Sequence, residues 1–177
     1  MSEPVVPPPP SPAPAAPAQL LVVDDEEIVL VALRQTLAQQ GYQVTTVSDA
    51  GKALALLSTQ DFAVVISDHQ MPALTGLEFL AQVRAVQPDA SRVLITAVLN
   101  LSTVIDAINK AEIFRFLLKP WERADLLATV RAAVERHERL RARKEMLAAA
   151  LRENQALQAR VQALEAQLRL SQREIAP

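Results

Sequence analysis

Residues Phe62 to Gly76 read FAVVISDHQMPALTG, a short apolar run followed by an acid and a loop. An apolar run this short and this rich in β-branched residues predicts a strand that is buried on both faces, and such strands belong to parallel sheets covered by helices. Asp68 would then stand at the carboxyl end of a strand, at the edge of the sheet where loops form a ligand-binding crevice. An acid at such a position is also typical of turns and helix caps, so its role depends on the rest of the chain.

Strand and helix patterns alternate on either side of this segment. The five predicted strands are Leu20–Val23, Tyr42–Val47, the strand ending at Asp68, Arg92–Thr96 and Phe114–Leu118. The first predicted helix follows the acids Asp24 to Glu27, which are expected to cap it, and it stops at Gly41. The second predicted helix is capped by Ser48 or Asp49. The third spans Thr75 to Val86, and the fourth spans Leu101 to Ala111. This order indicates an α/β fold, a five-stranded, parallel, doubly wound sheet of the flavodoxin type with right-handed crossovers.

Proline divides the chain into three predicted parts. Residues 1–18 hold most of the 12 prolines, which favours an extended, disordered leader; a docking motif for a proline-reading domain is the less expected alternative. Residues 19–136 form the α/β domain. After Pro120 no Gly or Pro occurs before Pro177, which predicts one helix of about 55 residues, on the order of 80 Å long. Its first half can cover the sheet, and residues 137–177 need another partner.

The amino-acid composition excludes or disfavours several kinds of functional site. The chain has 0 cysteines and 2 histidines, which excludes disulfides and thiol catalysis and makes a zinc site improbable. A net charge of -2 gives no general case for nucleic-acid binding. No apolar run is long enough for a membrane span, and the amino terminus lacks the pattern of a secretory signal, so we expect a cytoplasmic protein with neither membrane nor nucleic acid as partner.

The predicted strands deliver polar side chains to one edge of the sheet. Asp24 and Asp25 follow the first strand, Asp68 ends the third, Thr96 ends the fourth and Lys119 follows the fifth. Crowded carboxylates repel one another and raise each other's pKa unless a cation joins them. A site whose ligands are all oxygen atoms favours a hard metal ion. Mg²⁺ fits because only a few carboxylates bind it, and its other coordination positions stay open for water and a phosphoryl oxygen. With Lys119 as a fixed positive charge, this group suits phosphoryl transfer.

Four motifs carry a specific resemblance. They are Leu-Val-Val-Asp-Asp-Glu-Glu at positions 21–27, Asp-His-Gln-Met-Pro at 68–72 with Gly76, Leu-Ile-Thr-Ala at 94–97 and Phe-Leu-Leu-Lys-Pro at 116–120. In this order, and at strand ends, they resemble the receiver domain of bacterial two-component response regulators. The resemblance covers roughly residues 20–136.

The resemblance implies a role for each strand-end residue. Asp68 would take a phosphoryl group from the phosphohistidine of a sensor histidine kinase and form an acyl phosphate. Asp25 and Asp68 would ligate Mg²⁺ together with the backbone carbonyl of Gln70, with Asp24 assisting through water. Lys119 would pair with Asp68 before phosphorylation and with the phosphoryl group after it. The chain would therefore be a phosphoacceptor with self-phosphorylation and dephosphorylation chemistry only, and not an enzyme.

The same resemblance implies a switch. Thr96 would move to the phosphoryl group, and the ring of Phe116 would turn inward into the space it leaves; a plain core role for Phe116 is the alternative. Gln70 and Val98 flank the path of hydrolytic water in the family and so bear on phosphoryl lifetime. His69 is interpreted as a loop residue whose ring faces solvent.

The predicted long helix carries a heptad pattern. With Leu140 as position a, the a positions are Leu140, Leu147, Asn154, Val161, Leu168 and Ile175, and the d positions are Arg143, Ala150, Leu157, Leu164 and Ser171. An apolar seam with one Asn at a favours two parallel strands, which predicts a homodimer through a coiled coil. The alternative is a lone helix folded back on the domain. The basic residues in 137–144 stand among Glu135, Glu138 and Glu145, and no turn separates a reading helix, which argues against a DNA-binding region.

Two functions fit these observations. In the first, the chain is a phosphorylation-dependent response regulator that transmits its switch through the carboxyl-terminal helix to a dimeric coiled coil and to a possible downstream protein. In the second, it is the regulatory front of a larger signalling enzyme for cyclic-dinucleotide turnover, nucleotide cyclisation or protein dephosphorylation. A phosphatase reaction at Asp68 itself is disfavoured, because turnover would need an acid where the chain has Gln70.

Overall fold

The computed structural model describes residues 17–97 and 110–174, of which 166–174 are described by their backbone alone. Most of the predicted leader, nearly all of the predicted helix Leu101 to Ala111, the position of Val98 and that of Ile175 lie outside these ranges. So do the side chains of Leu168 and Ser171 in the predicted seam.

Five strands and four helices occur in the described residues. The strands are β1 (Gln19–Val23), β2 (Gln43–Val47), β3 (Val64–Asp68), β4 (Ser91–Thr96) and β5 (Arg115–Leu118). The helices are α1 (Glu27–Ala38), α2 (Ala50–Leu57), α3 (Gly76–Val86) and α4 (Arg123–Glu174). The strands pair in parallel in the order β2-β1-β3-β4-β5. This confirms the predicted five-stranded parallel sheet followed by a long helix.

Apolar side chains fill both faces of the sheet. Leu20 and Val22 point to the face covered by α1 and α4, while Leu21 and Val23 point to the face covered by α2 and α3. All five residues of β3 are buried. Because β3 is central and covered on both faces, its sequence reads as a continuous apolar run without polar alternation.

The helix starts differ in how they are capped. Asp49 accepts a hydrogen bond from the backbone N–H of Lys52 and caps α2, while Thr75 and Glu78 form a capping box at α3. The predicted acidic cap of α1 is confirmed only in part, because Glu27 lies in the first turn but Glu26 stands at the N-cap position without a side-chain cap bond. The side chains of Asp24 and Glu26 contact Lys119 instead.

Helix α4 has two environments. Leu126, Val130, Ala133 and Val134 are buried against the sheet. Every residue from 141 to 165 is exposed; Lys144 still pairs with Asp89, and beyond it the helix leaves the domain and does not fold back on it. Within the described residues, no helix is both long and apolar enough to cross a membrane.

Candidate functional site

The sheet order brings four of the five predicted strand-end residues, all but Asp24, to the lining of one cavity. Strand β3 lies between β1 and β4, with Val23 beside Ser67, and Asp68 beside Ile95. Thr96 of β4 pairs with Leu118, which places Lys119 next to it. A cavity of about 250 Å³ opens there, lined by Asp25, Glu26, Asp68, His69, Gln70, Thr96, Ala97 and Lys119.

Lys119 joins three carboxylates. Its Nζ lies 2.7 Å from Asp68 Oδ1, 3.1 Å from Asp24 Oδ2 and 3.4 Å from Glu26 Oε1. Burial opposes the charged form of Lys119, but hydrogen bonds to Asp68 and Asp24 outweigh it and raise the pKa of the ammonium group above its ordinary range. Lys119 is therefore a permanent positive charge beside Asp68.

Asp24 is the most buried acid of the group, with 1% of its surface exposed. Burial raises its pKa, against the lowering effects of the backbone N–H of Glu26 and of Lys119. The charge of Asp68 is the smallest contribution in the same direction. Lys119 lies between Asp24 and Asp68 and offsets the predicted repulsion of these two carboxylates.

The backbone around Asp68 is tightly folded. Asp68 Oδ2 accepts a hydrogen bond of 2.7 Å from the N–H of Gln70, and Ser67 Oγ donates to the carbonyl of Asp68 at 2.8 Å. The N–H of Gly76 donates to the carbonyl of His69 at 2.9 Å. A Cβ on Gly76 would stand 1.8 Å from the carbonyl oxygen of Asp68, so only glycine lets α3 begin this close to the strand end.

The prediction that the ring of His69 faces solvent needs correction. His69 is partly buried, and its Nδ1 has no hydrogen-bond partner among the described residues. Its backbone N–H donates to the carbonyl of Ile95 at 2.8 Å, which draws the residue against the end of β4. His69 is one of the residues that line the cavity beside Asp68.

The two predicted switch residues lie on neighbouring strands. Thr96 is buried, and its side chain lines the cavity. Its carbonyl accepts the N–H of Lys119 at 2.9 Å, which couples the end of β4 to the lysine. Phe116 is partly buried and packs against the core that α2 and α3 cover. Its side chain therefore has contacts with the core and access to the surface.

The residues that line the cavity fit a metal ion that has few protein ligands. Within residues 17–97 and 110–174, no three acidic or histidine side chains are grouped closely enough to hold an ion. Asp25 and Asp68 both line the cavity, whereas Asp24 is drawn to Lys119. Two carboxylates, one backbone carbonyl and water are a ligand set that suits Mg²⁺, which retains several waters in protein sites.

The predicted dimer residues are exposed in the single chain. Leu147, Leu157, Val161 and Leu164 have 61%, 55%, 53% and 51% of their surface accessible, and Asn154 is exposed. At 3.6 residues per turn, this stripe lies roughly a third of a turn from the stripe that packs on the sheet. One helix can therefore cover the domain and present the seam to a partner.

Two residues of the site were not identified from sequence. Glu26 was interpreted as a helix cap, yet it shares Lys119 with Asp24 and Asp68. Ser67 is a fully buried hydroxyl within the apolar strand. The polar side chain in an otherwise apolar run was the available signal for Ser67; for Glu26 the only signal was its place directly after the two aspartates.

Sequence comparison matches most of the domain to one family. Residues 20–131 match the response regulator receiver domain. The hydrogenase transcriptional regulatory protein HoxA of Cupriavidus necator is 44% identical over 116 residues, which is 66% of this chain and 24% of that protein. The alginate biosynthesis transcriptional regulatory protein AlgB of Pseudomonas putida is 35% identical over 136 residues, or 76% of this chain and 30% of that protein. The chain thus spans less than a third of the length of these two relatives.

Solved structures share the fold. The signal receiver domain of an HD domain-containing protein from Pseudomonas fluorescens Pf-5 has a TM-score of 0.72 at 33% identity, covering 75% of this chain and 98% of that one. A structure described as adenylate cyclase from Rhodopirellula baltica has a TM-score of 0.70 at 30% identity, covering 74% and 97%. Both cover about three quarters of this chain.

Proposed function

The chain belongs to the response regulator receiver domain family, and on that basis we propose that it is a phosphorylation-controlled response regulator whose acceptor is Asp68. The observation that carries the proposal is the pairing of Asp68 Oδ1 with Lys119 Nζ at 2.7 Å, at the mouth of a cavity at the carboxyl edge of the sheet. The phosphodonor is the phosphohistidine of a sensor histidine kinase. A carboxylate oxygen of Asp68 forms the new P–O bond as the P–N bond to the imidazole breaks.

The other residues of the cavity would place positive charge and a hydrogen-bond donor around the phosphoryl group. Asp25, Asp68 and the carbonyl of Gln70 would hold Mg²⁺, with Asp24 assisting through water. When bound, the ion neutralises the oxygens of the phosphoryl group. Lys119 supplies a second positive charge from its place beside Asp68, and the hydroxyl of Thr96 donates to a phosphoryl oxygen. Phosphoryl transfer requires mainly positioning and charge neutralisation, which these side chains provide.

Beryllofluoride, which mimics an acyl phosphate, tests the acceptor without a kinase. Fluorine NMR with Mg²⁺ should detect one bound species in the wild-type chain and none in Asp68→Asn. Asp61→Asn is the matched control, because this exposed acid precedes β3 at the opposite edge of the sheet. An unchanged bound signal in Asp68→Asn would overturn the assignment.

Asp25→Ala tests the metal separately. The variant keeps Asp68 but loses a carboxylate that lines the cavity. We expect it to bind beryllofluoride weakly and without the Mg²⁺ dependence of the wild type. Equal Mg²⁺ dependence in both proteins would remove Asp25 from the ligand set.

We further propose that the output is a parallel homodimer formed through α4, with Leu147, Asn154, Leu157, Val161, Leu164 and Leu168 in its seam. The support is a stripe of large apolar side chains that is exposed over residues 147–164 in the single chain. Thr96 and Phe116 form the switch that reaches this helix through Pro120. A downstream protein would read the paired helices.

Light scattering at micromolar concentration tests the dimer. The full chain should have twice the mass of one chain, and truncation after Arg139 should yield a monomer or a much weaker dimer. Asn154→Leu should raise thermal stability and loosen the choice of oligomer, since a polar a position trades stability for specificity. A monomeric full chain would contradict the proposal.

The second candidate is the regulatory front of a larger signalling enzyme. It is favoured by the similar structures, one a receiver domain of an HD domain-containing protein and one described as adenylate cyclase. Reading the gene beyond codon 177 distinguishes the two functions. A catalytic domain encoded in the same frame would make the coiled coil a connector, and a stop codon would leave it as the output.

A further inference from the structure

Arg92 is a fully buried arginine that joins two segments distant in sequence. Its Nη1 donates to the carbonyls of Ala90 at 2.8 Å and Pro88 at 3.3 Å, in the loop between α3 and β4. Its Nε donates to the carbonyl of Ala111 at 2.6 Å, and its Nη2 lies 3.4 Å from the carbonyl of Glu112. One planar guanidinium thus holds the loop residues Pro88–Ala90, here called the latch loop, and the segment that precedes β5.

The outer side of the latch loop holds the long helix. Asp89 Oδ2 pairs with Lys144 Nζ, and the carbonyl of Asp89 is 3.0 Å from His137 Nδ1. Because a carbonyl only accepts, His137 Nδ1 carries the proton and donates. Beside the loop, Ser91 Oγ donates to the carbonyl of Ala133 at 2.7 Å. These contacts lie at the amino-terminal edge of the sheet, opposite Asp68.

We propose that Arg92 and the latch loop form a mechanical link that fixes residues 137–144 of α4 in position relative to the segment Ala111–Glu112. The proposal goes beyond phosphoryl chemistry, because it concerns how the domain holds the helix in any state. A displacement of the residues before β5 would move the latch loop and, through the pairing of Asp89 with Lys144, the helix about three turns beyond its last buried residue, Val134.

The two sides of the link differ in strength. Releasing Arg92 would leave a buried charge and several carbonyls without partners, which is costly. Burial and the nearby charge of Arg136 lower the pKa of Arg92 to about 10, so it stays charged at neutral pH. Lys144 and Asp89 are 62% and 35% exposed, and exposed ion pairs are weak. The ion pair of Asp89 with Lys144 is therefore expected to break more readily than the hydrogen bonds of Arg92.

Direct contacts also join α4 to the segment before β5. The guanidinium of Arg136 lies 5.6 Å from the ring centroid of Phe114, just before β5. Arg136 Nη1 also donates to Ser91 Oγ at 3.4 Å, and further along the helix His137 and Lys144 contact Asp89 of the latch loop. The latch thus extends the region of the helix held by the domain toward the heptads.

Hydrogen exchange of the α4 amides in the full chain tests the link. Lys144→Met should speed exchange over residues 137–147 by roughly two- to fivefold, the range expected for loss of one exposed ion pair. Arg139→Met is the matched control, since Arg139 pairs only within the helix, with Glu135, among the described residues. In an Arg92→Lys background the effect of Lys144→Met should shrink, because the loop no longer holds Asp89 in place.

A second measurement does not depend on an Arg92 variant that folds. Asp89→Ala should shift the NMR resonances of Arg92 Nε–H and of the Ala111 and Glu112 amides. The link is refuted if Lys144→Met and Arg139→Met exchange alike, or if Asp89→Ala leaves those resonances unmoved. It is also refuted if Arg92→Lys loosens residues 111–112 but leaves exchange over 137–147 at the wild-type rate.

Discussion

At the scale of single residues, the site depends on where one ammonium group and one glycine are placed. Lys119 lies among Asp24, Glu26 and Asp68, so it neutralises acids that would otherwise repel one another. Gly76 lets the start of α3 approach the carbonyl of Asp68 more closely than any side chain would permit. The motif containing Asp68 and Gly76 was recognisable in the sequence, but the reason for the glycine is a backbone contact that only the fold shows.

Gly76→Ala should damage the acceptor site and the fold together. The added Cβ meets backbone atoms of Asp68, which cannot rotate away, and overpacking of this kind costs about 1–3 kcal/mol. Urea unfolding should show that loss, and beryllofluoride binding should weaken because Asp68 is displaced. Gly51→Ala is the control: its nearest contact is a side-chain oxygen of Asp49 at 3.2 Å, and alanine favours the helix. Wild-type ligand binding by Gly76→Ala would show that the close approach is not needed.

Asp24→Asn should stabilise the fold at neutral pH while weakening Mg²⁺ binding. Burial raises the pKa of Asp24, so the folded chain holds this proton more tightly than the unfolded chain does. Its ionisation therefore lowers the free energy of unfolding as pH rises above the ordinary pKa of an aspartate. The gain in the asparagine variant should be present at pH 7 and fade toward pH 3. Urea unfolding at both pH values checks this, and a gain that persists unchanged at pH 3 would contradict it.

At the scale of elements, helix α4 carries two apolar stripes, one packed on the sheet and one exposed to solvent. Val130 and Ala133 pack on the sheet, while the stripe that contains Leu147 and Leu157 is exposed about a third of a turn away. The heptad pattern was visible in the sequence because it repeats locally. The contacts of Lys144 and His137 with Asp89 were not predictable, because they join surface residues that only the packing of α4 brings together.

Phosphorylation should change how paired α4 helices meet near residues 136–143 without separating them beyond Leu147. Coupling between sites is typically about 1–3 kcal/mol, enough to shift a balanced equilibrium but too little to melt several heptads. The chain has 0 cysteines, so single cysteines at Glu138, Arg139 or Arg143 carry spin labels unambiguously. Distances measured with and without beryllofluoride should differ at these sites and agree at Leu157. Identical distances in both states, with the ligand bound, would make the helix a passive tether.

At the scale of the whole molecule, the fold and the grouping of Asp25, Asp68, Thr96 and Lys119 at one edge of the sheet were largely predictable, and the polar connections were not. Strands β1, β3, β4 and β5 are mostly apolar runs that end at, or directly before, a polar residue, so the sheet and its edge follow from short patterns. Arg92 stands within such a run, and its partners at positions 88, 90, 111 and 112 depend on chain segments that meet only in the folded state. Glu26 likewise depends on β1 and β5 ending at the same edge.

The proposed function depends on Asp68 being the phosphoryl acceptor. Mass spectrometry after reaction with a small phosphodonor tests this most directly. Incubation with acetyl phosphate and Mg²⁺ should add one phosphoryl group to the intact wild-type chain, and hydroxylamine should remove it, as an acyl phosphate requires. Asp68→Asn should remain unmodified under the same conditions, while Asp61→Asn should be labelled like the wild type. Full, hydroxylamine-sensitive labelling of Asp68→Asn would contradict the account.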